Sequence, residues 1–191
     1  MGDIVEDDMK NKTDKELAEF TQKGNTEAFG ILVERYEHKL LRYGRKFLFD
    51  YEDIKDAIQD VFVRAYSNIQ SFDRTREFSP WIYRIAHNNF VNIIKKKKKE
   101  PYIFFDADMI FSLADEEEIL TRAEKEEERR DIDRCLKEIK PKYREILILF
   151  YFEEKDYKEI SDILSIPIST VGVRLKRGRK EIKKIYEQRK K

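Results

Sequence analysis

Cysteine, histidine, glycine and proline are all scarce in this 191-residue sequence. It contains one cysteine, two histidines, six glycines and four prolines. A single cysteine, Cys135, cannot form an internal disulfide, which fits a reducing compartment, so we expect a cytoplasmic protein. His38 and His87 are far apart, so no metal-ligand cluster is predicted. The shortage of glycine and proline argues against a many-stranded sandwich or barrel, whose turns need them.

Long hydrophobic runs are also missing. The longest uninterrupted apolar segment, residues 146–152, is seven residues long, whereas a membrane-spanning helix needs about 20. The acidic N-terminal residues include no apolar segment of the kind found in a signal peptide. The spacing shows no glycine-rich phosphate loop and no Ser–His–Asp or Cys–His grouping. We therefore expect no membrane insertion, no enzymatic activity and no cofactor.

Charge, by contrast, is plentiful and sorted along the chain. Charged residues make up 41% of the sequence, although the formal net charge is only +1. Residues 73–100 carry eight bases and three acids, and residues 169–191 carry ten bases and two acids. Between them, residues 106–138 carry thirteen acids and six bases. This pattern predicts two surfaces that contact a polyanion, joined by an acidic connector.

Apolar residues recur at steps of three and four through most of the chain, which predicts amphipathic helices. Helix starts are indicated by Thr13 with Glu16, by Asn25, and by Ser79 before a proline. No strand-like alternation of any length occurs, and the helical period breaks over residues 101–117. The sequence therefore predicts an all-α chain with two small helical domains joined by an acidic linker.

The last third of the chain has the pattern of a helix-turn-helix. Asp156 and Glu159 form a capping box for a short helix, and Ser169 is expected to cap a longer basic helix after a tight turn. The start of such a second helix enters the major groove of DNA. The alternative is a plain helical hairpin with a solvated basic face, but the excess of bases favours DNA. Residues expected near base edges are Thr170, Arg174 and Arg177, and those expected at phosphates are Lys176, Arg179 and Lys180.

Several segments resemble bacterial sigma factors. Residues 56–66 (DAIQDVFVRAY) and 78–88 (FSPWIYRIAHN) resemble the core of region two. Residues 141–145 (PKYRE), 157–160 (YKEI) and 166–171 (IPISTV) resemble region four. Only these two regions are present, which is the layout of the extracytoplasmic-function (ECF) group of the sigma-70 family. The domains expected from the resemblance are region 2 (25–100), a linker (101–117) and region 4 (118–191). An acidic N-terminal extension with a short helix (1–24) falls outside the resemblance.

The resemblance implies a promoter-specificity subunit that directs bacterial core RNA polymerase and has an anti-sigma factor as a further partner. Region 2 would dock on the clamp of the largest polymerase subunit and melt the minus-ten element, and region 4 would contact the flap of the second-largest subunit. Positions matching the clamp-binding residues are Asp53, Asp56, Gln59, Asp60 and Arg64. Candidate residues for minus-ten DNA are Phe72, Arg74, Arg76, Arg84, His87, Asn88 and Lys95. Candidate residues for the minus-thirty-five element are Ser169, Thr170, Arg174, Lys176, Arg177 and Arg179.

Some of these residues have a plain structural alternative. Trp81 and Cys135 lie on apolar stripes, so we expect both in the core. The alternatives are a platform on which a DNA base stacks for Trp81 and a redox sensor for Cys135. His87 lies off the stripe, so it either contacts DNA or is exposed without a role. Residues 95–99 are expected to follow promoter DNA, the alternative being a solvated helix end.

Gly172 and Val173 depart from the family pattern, which often has Lys-Ser or Lys-Thr at these positions. The departure is expected to alter the minus-thirty-five sequence that is recognised. Two other classes of function remain open, namely a DNA-binding regulator that does not join the polymerase and a helical decoy that binds no promoter. The polar face over residues 56–64 disfavours the first class, and the basic recognition helix disfavours the second.

Overall fold

The computed structural model describes residues 9–48, 50–96, 134–136 and 138–189. These residues form helices and turns and include no strand, which confirms the predicted all-α class. The chain divides into two compact units with a boundary between Pro101 and Tyr102. Residues 162–164 are the one exception, since they are grouped with the first unit. The expected linker over residues 101–117 lies outside the described residues.

The first unit is a bundle in which each of the first three helices begins at a capping residue. Thr13 and Glu16 form the predicted capping box, and the Asn25 side chain accepts a hydrogen bond from the Ala28 amide. Asp50 accepts from two amides in the same way. These caps satisfy amides that have no partner within the helix. The helices are α1 (Asp14–Gln22), α2 (Thr26–Gly44), α3 (Tyr51–Ser67) and α4 (Phe78–Lys96), with a 3-10 turn at Ile69–Ser71 after α3.

Aromatic rings and one glycine set the packing of α2 against α3 and α4. The Tyr43 ring centroid lies 5.2 Å from that of Tyr83 and 5.8 Å from that of Phe90. A Cβ atom at Gly44 would lie 3.1 Å from the Ile54 side chain and 3.2 Å from the Phe90 ring. Gly44 therefore permits a close approach of the three helices, and a larger residue would require the Ile54 and Phe90 side chains to shift by a few tenths of an ångström.

Helix α1 belongs to this bundle, although the sequence assigned its residues to an extension. Leu17 and Ala18 are completely buried. Arg35 donates to Asp14 Oδ1 at 2.6 Å and to the Lys10 carbonyl at 2.6 Å. The Tyr36 hydroxyl donates to the other oxygen of Asp14 at 2.5 Å. The start of α1 is thus tied to the middle of α2, and the helix contributes to the core.

The second unit contains the predicted helix-turn-helix. Asp156 and Glu159 form the predicted capping box, and the helix that they begin ends at Leu164, with Ser165 following it in the left-handed region at φ 53°. The Pro167 carbonyl accepts from the Thr170 amide at 2.9 Å, so the next helix begins at Ile168. The expected cap at Ser169 is therefore wrong, because Ser169 already lies in the first turn. The helices are α5 (Pro141–Tyr151), α6 (Tyr157–Leu164) and α7 (Ile168–Arg189).

The core of the second unit holds α7 against α5 and the segment before it. Cys135 is completely buried, which confirms its predicted core position. Arg144 is also buried and donates to the carbonyls of Leu136 at 2.7 Å and Ile139 at 3.1 Å. A Cβ atom at Gly178 would lie 3.3 Å from the Leu147 side chain, so this glycine lets α7 approach α5 closely.

Candidate functional surfaces

One side of α3 carries charged residues at regular helical spacing. Asp56, Asp60 and Arg64 are exposed and four residues apart, so they lie along one strip of the helix. Gln59 is also exposed, and Asp53 is partly exposed. In the described part of the chain, neither Asp56 nor Asp60 forms an ion pair. Both carboxylates are therefore accessible to a partner with positive charge.

The same side of α3 also exposes large apolar residues. Val63 is 65% exposed and Tyr66 is 43% exposed, although the sequence pattern placed Tyr66 on the buried side. The Tyr66 ring centroid lies 5.0 Å from that of Phe29, which covers only part of the ring. Aromatic and apolar groups among charged ones are typical of a protein-binding surface. We define the α3 surface by its exposed members, which are Asp56, Gln59, Asp60, Val63, Arg64 and Tyr66.

The segment between α3 and α4 contains an arginine pair and a buried phenylalanine. Arg74 and Arg76 are exposed, as DNA contact would require. Phe72 is only 4% exposed, and its ring centroid lies 5.5 Å from that of Phe78 and 5.4 Å from that of Trp81. The expectation that Phe72 faces DNA is therefore wrong for this structure, because the ring is enclosed in an aromatic cluster. Trp81 contacts the cluster as expected but remains partly exposed.

The turn that carries these arginines is ordered by its own side chains. Asp73 Oδ1 accepts from the Thr75 hydroxyl at 2.7 Å and from the Thr75 amide at 2.9 Å. These hydrogen bonds hold the pKa of Asp73 below its ordinary value. The ionised carboxylate also lies 3.5 Å from Arg76, an exposed pair of small energetic weight. The backbone therefore turns sharply immediately before α4.

Helix α4 continues from this turn with a polar strip. Arg84 is partly exposed, and Asn88, Asn92 and Lys95 follow it at steps of four, four and three as exposed residues. Trp81 precedes Arg84 by three residues, so this partly exposed residue lies at the start of the same strip. The remaining lysines of the predicted tract, residues 97–99, lie outside the described residues.

His87 is a core residue rather than a surface residue. It is 7% exposed, its Nδ1 lies 3.0 Å from the Tyr43 hydroxyl, and its ring meets that of Phe47 edge-on. Burial lowers the pKa of His87 to about 4, so the ring is neutral at pH 7. Both expected roles of His87, contact with DNA and idle exposure, are therefore wrong. The missing signal was tertiary, since Tyr43 is 44 residues away.

Acid is expected to destabilise the first unit through His87. In the unfolded chain His87 has a pKa near 6.5, so it becomes protonated below that pH. In the folded chain its pKa is about 4, so it stays neutral until the pH is much lower. Stability should therefore be complete above pH 6.5 and fall as the pH drops toward 4, by about 3 kcal/mol at most. Thermal unfolding between pH 7 and 4.5 should show a steeper decline for the wild type than for His87→Gln. Equal slopes would contradict a neutral buried His87.

The exposed side of α7 is basic around an apolar centre. Ser169 and Arg177 are exposed, and Val173, halfway between them, is 49% exposed. Lys176 and Lys180 flank this strip. Thr170 and Arg174 are only partly exposed. Thr170 directly precedes buried Val171 in sequence, and Arg174 lies one turn after it. Sequence reasoning named Thr170, Arg174 and Arg177 as the outward side chains, whereas in the structure Val173 lies at the centre of the exposed side and Thr170 and Arg174 lie at its edge.

Arg179 points toward α5. Its guanidinium carbon lies 5.7 Å from the Phe150 ring centroid and 5.6 Å from that of Tyr151. Such cation–π contacts hold the side chain in place while leaving it exposed. A phosphate contact by Arg179 would therefore use a side chain that is already oriented.

Two further properties bear on the class of protein. Among the described residues, no group of three His, Cys, Asp or Glu side chains is placed to hold a metal ion. Over the same residues, none of the helices has the length and apolar character needed to cross a membrane.

A helical bundle followed by a basic helix-turn-helix defines a class of two-part transcription proteins, and comparison with known proteins identifies the family. Residues 32–100 match the family model for sigma-70 region 2, and residues 129–182 match the model for sigma-70 region 4. The chain is 33% identical over 170 residues to the ECF RNA polymerase sigma factor SigW of Bacillus subtilis, covering 85% of this chain and 91% of SigW. It is 28% identical over 188 residues to the RNA polymerase sigma-H factor of Pseudomonas aeruginosa, covering 94% and 96%. The chain belongs to the ECF group of sigma-70 family factors, which act in transcription initiation and are not enzymes.

Solved structures show the same fold. CnrH in complex with the cytosolic domain of CnrY superposes with a TM-score of 0.71 at 24% identity, over 93% of this chain and 99% of that one. The sigma factor RpoE of Bartonella quintana, in complex with the anti-sigma factor NepR, gives a TM-score of 0.63 at 18% identity, over 83% and 96%.

Proposed function

We propose that this chain brings bacterial core RNA polymerase to promoters with paired minus-ten and minus-thirty-five elements. The α3 surface binds the clamp of the largest subunit, the segment before α4 and the strip along α4 open and hold the minus-ten strand, and α7 recognises the minus-thirty-five duplex. The observation that carries the proposal is the contrast between two exposed surfaces, one acidic and apolar on α3 and one basic on α7.

Docking through α3 is supported by accessible carboxylates beside uncovered apolar side chains. A helix face that only met water would not need Val63 and Tyr66 exposed among charges. Asp56 and Asp60 would pair with basic side chains of the clamp, and Val63 would be buried at the centre of the contact. Because charge pairs speed encounter and apolar burial slows dissociation, the combination suits a specific complex.

Handling of the minus-ten strand is supported by the strip that begins at Trp81. Single-stranded nucleic acid is held by aromatic stacking together with a basic groove along its backbone. Trp81 is a partly exposed aromatic residue, and Arg84 and Lys95 supply charge about three turns apart on α4, with Asn88 and Asn92 between them. A base extruded from the duplex needs such contacts to replace its lost stacking.

Recognition of the minus-thirty-five element is supported by the centre of α7. Arg177 has the side chain that most often contacts guanine in the major groove, and an apolar side chain in the same groove meets the thymine methyl group. Val173 supplies that apolar contact, with Lys176 and Lys180 at the flanking phosphates. We therefore expect a thymine in the base pair that faces Val173. From the resemblance, we also expect this unit to contact the polymerase flap.

An anti-sigma factor is a further expected partner. The Bartonella quintana sigma factor RpoE forms a complex with one, and the α3 surface offers a partner both charged and apolar side chains. An anti-sigma factor that covers this surface would compete with the polymerase.

The test is transcription from fragmented genomic DNA of the source organism with core RNA polymerase, with and without this chain. We expect new transcripts whose start sites share a paired upstream motif. A stable complex with polymerase but no new transcripts would indicate a decoy, and no complex at all would indicate a regulator that acts apart from the polymerase.

A further inference from the structure

The C-terminal end of α1 is bonded to the segment between α3 and α4. The Gln22 amide nitrogen donates to the carbonyls of Ile69 at 2.7 Å and Phe72 at 3.0 Å. Its amide oxygen accepts from Arg74 Nε at 2.6 Å. The Gln22 main-chain carbonyl accepts from the Gln70 side chain at 2.8 Å. One residue therefore uses its side-chain donor, its side-chain acceptor and its carbonyl on a segment about 50 residues away.

Neighbouring residues on α1 contact the same segment. Glu19 Oε1 lies 3.3 Å from Arg74 Nη1, and Lys15 Nζ lies 2.6 Å from Glu77 Oε1. These pairs are largely exposed and contribute little by themselves. Gln22 is partly buried, and hydrogen bonds in such a site depend more strongly on each partner because water replaces them less well.

These bonds hold the same segment that the aromatic cluster holds, through different atoms. The Phe72 ring is held by Phe78 and Trp81, and the Phe72 carbonyl is held by Gln22. Arg74 is directed by the amide oxygen of Gln22 rather than left to sample many rotamers. The backbone at residues 69 and 72 and the guanidinium of Arg74 thus share one anchor.

We propose that Gln22 is a positioning residue for the minus-ten loop, defined here as residues 69–77, and that it sets how strictly this loop discriminates between minus-ten sequences. The inference rests on the proposed function of that loop. Gln22 need not touch DNA, since it acts through the loop backbone and Arg74. Preorganisation of this kind lowers the ordering cost when a base is captured.

A plain stabilising role for Gln22 is separable from this one by a matched variant. Thr13→Ala removes the cap at the other end of α1, so it weakens the same helix while keeping every hydrogen bond between Gln22 and the minus-ten loop. Gln22→Leu removes the side-chain hydrogen bonds to the loop while keeping a side chain of similar size. The two variants should both lower the unfolding temperature, but only Gln22→Leu should alter the loop.

The experiment measures run-off transcription by the complete holoenzyme from a mapped promoter and from versions with single base changes in the minus-ten element. We expect Gln22→Leu to lower the ratio of correct to altered promoter by about tenfold, while its affinity for core polymerase stays within about twofold of the wild type. Thr13→Ala should keep the wild-type ratio. If Gln22→Leu keeps the wild-type ratio, or if both variants lower it in proportion to their loss of stability, the proposal is overturned. A wild-type holoenzyme that does not discriminate at the minus-ten element would overturn the proposed function of the loop and this inference together.

Discussion

Replacing Asp56 and Asp60 together with alanine is expected to weaken binding to core RNA polymerase severely while leaving the protein folded. Each carboxylate is exposed and makes no ion pair among the described residues, so the fold loses no contact. Alanine also has a higher helix propensity than aspartate, and the unfolding temperature should hold or rise. Truncating one partner of an interfacial charge pair costs about 2 kcal/mol or more, so the double variant should lose roughly a thousandfold in affinity. Fluorescence titration with core polymerase measures the loss.

The matched control removes two acids elsewhere in the same unit. Glu34 and Glu37 are exposed on α2 and, within the described ranges, form no ion pair. Their double alanine variant has the same net charge as the α3 variant. It should bind polymerase within a few fold of the wild type. Similar losses in the two variants would mean that overall charge, rather than the α3 surface, governs the complex.

Local features of the fold could be predicted from the sequence because they depend on residues a few positions apart. The capping boxes at Thr13 and Asp156 and the cap at Asn25 each join residues three apart. Their chemistry is visible in a short window of sequence. The same is true of the charged positions on α3, whose helical spacing fixes which side they share.

The misplaced residues depend on contacts that no short window contains. His87 is buried because Tyr43 and Phe47 on another helix provide a hydrogen bond and a ring contact. No sequence motif marks Gln22 as important, because its hydrogen-bond partners are about 50 residues away. Tertiary packing decided these positions, and helical period alone could not.

A different limit explains the apolar residues that were missed on the functional surfaces. Hydropathy alone would place Val63 and Val173 in the interior, whereas helical spacing leaves both off the buried stripes of their helices and assigns them no role. Both are exposed, at 65% and 49%. Val63 and Val173 both lie on surfaces proposed to bind a partner, and only that context gives their exposure a meaning.

Separate substitutions of Arg177 and Val173 are expected to change promoter recognition in two distinguishable ways. Arg177→Ala should lower affinity for the minus-thirty-five duplex by about 1–3 kcal/mol, roughly 5- to 150-fold, and relax the preference for one guanine. Val173→Ser should cost less overall but should remove the preference for thymine at one base pair. Deoxyuridine lacks only the methyl group of thymine, so substituting it in the duplex isolates the contact with Val173.

The wild type should bind the deoxyuridine duplex more weakly than the thymine duplex. Val173→Ser should bind the two duplexes equally well. Lys180→Ala is the control, because losing a phosphate contact weakens all duplexes by the same factor and lowers the salt dependence by about one ion. Equal preference for thymine over deoxyuridine in the wild type and in Val173→Ser would place the methyl contact elsewhere on α7. If Arg177→Ala instead behaved like Lys180→Ala, Arg177 would be a phosphate-binding residue and the base contact would fall to Arg174 or to another partly exposed side chain of the helix.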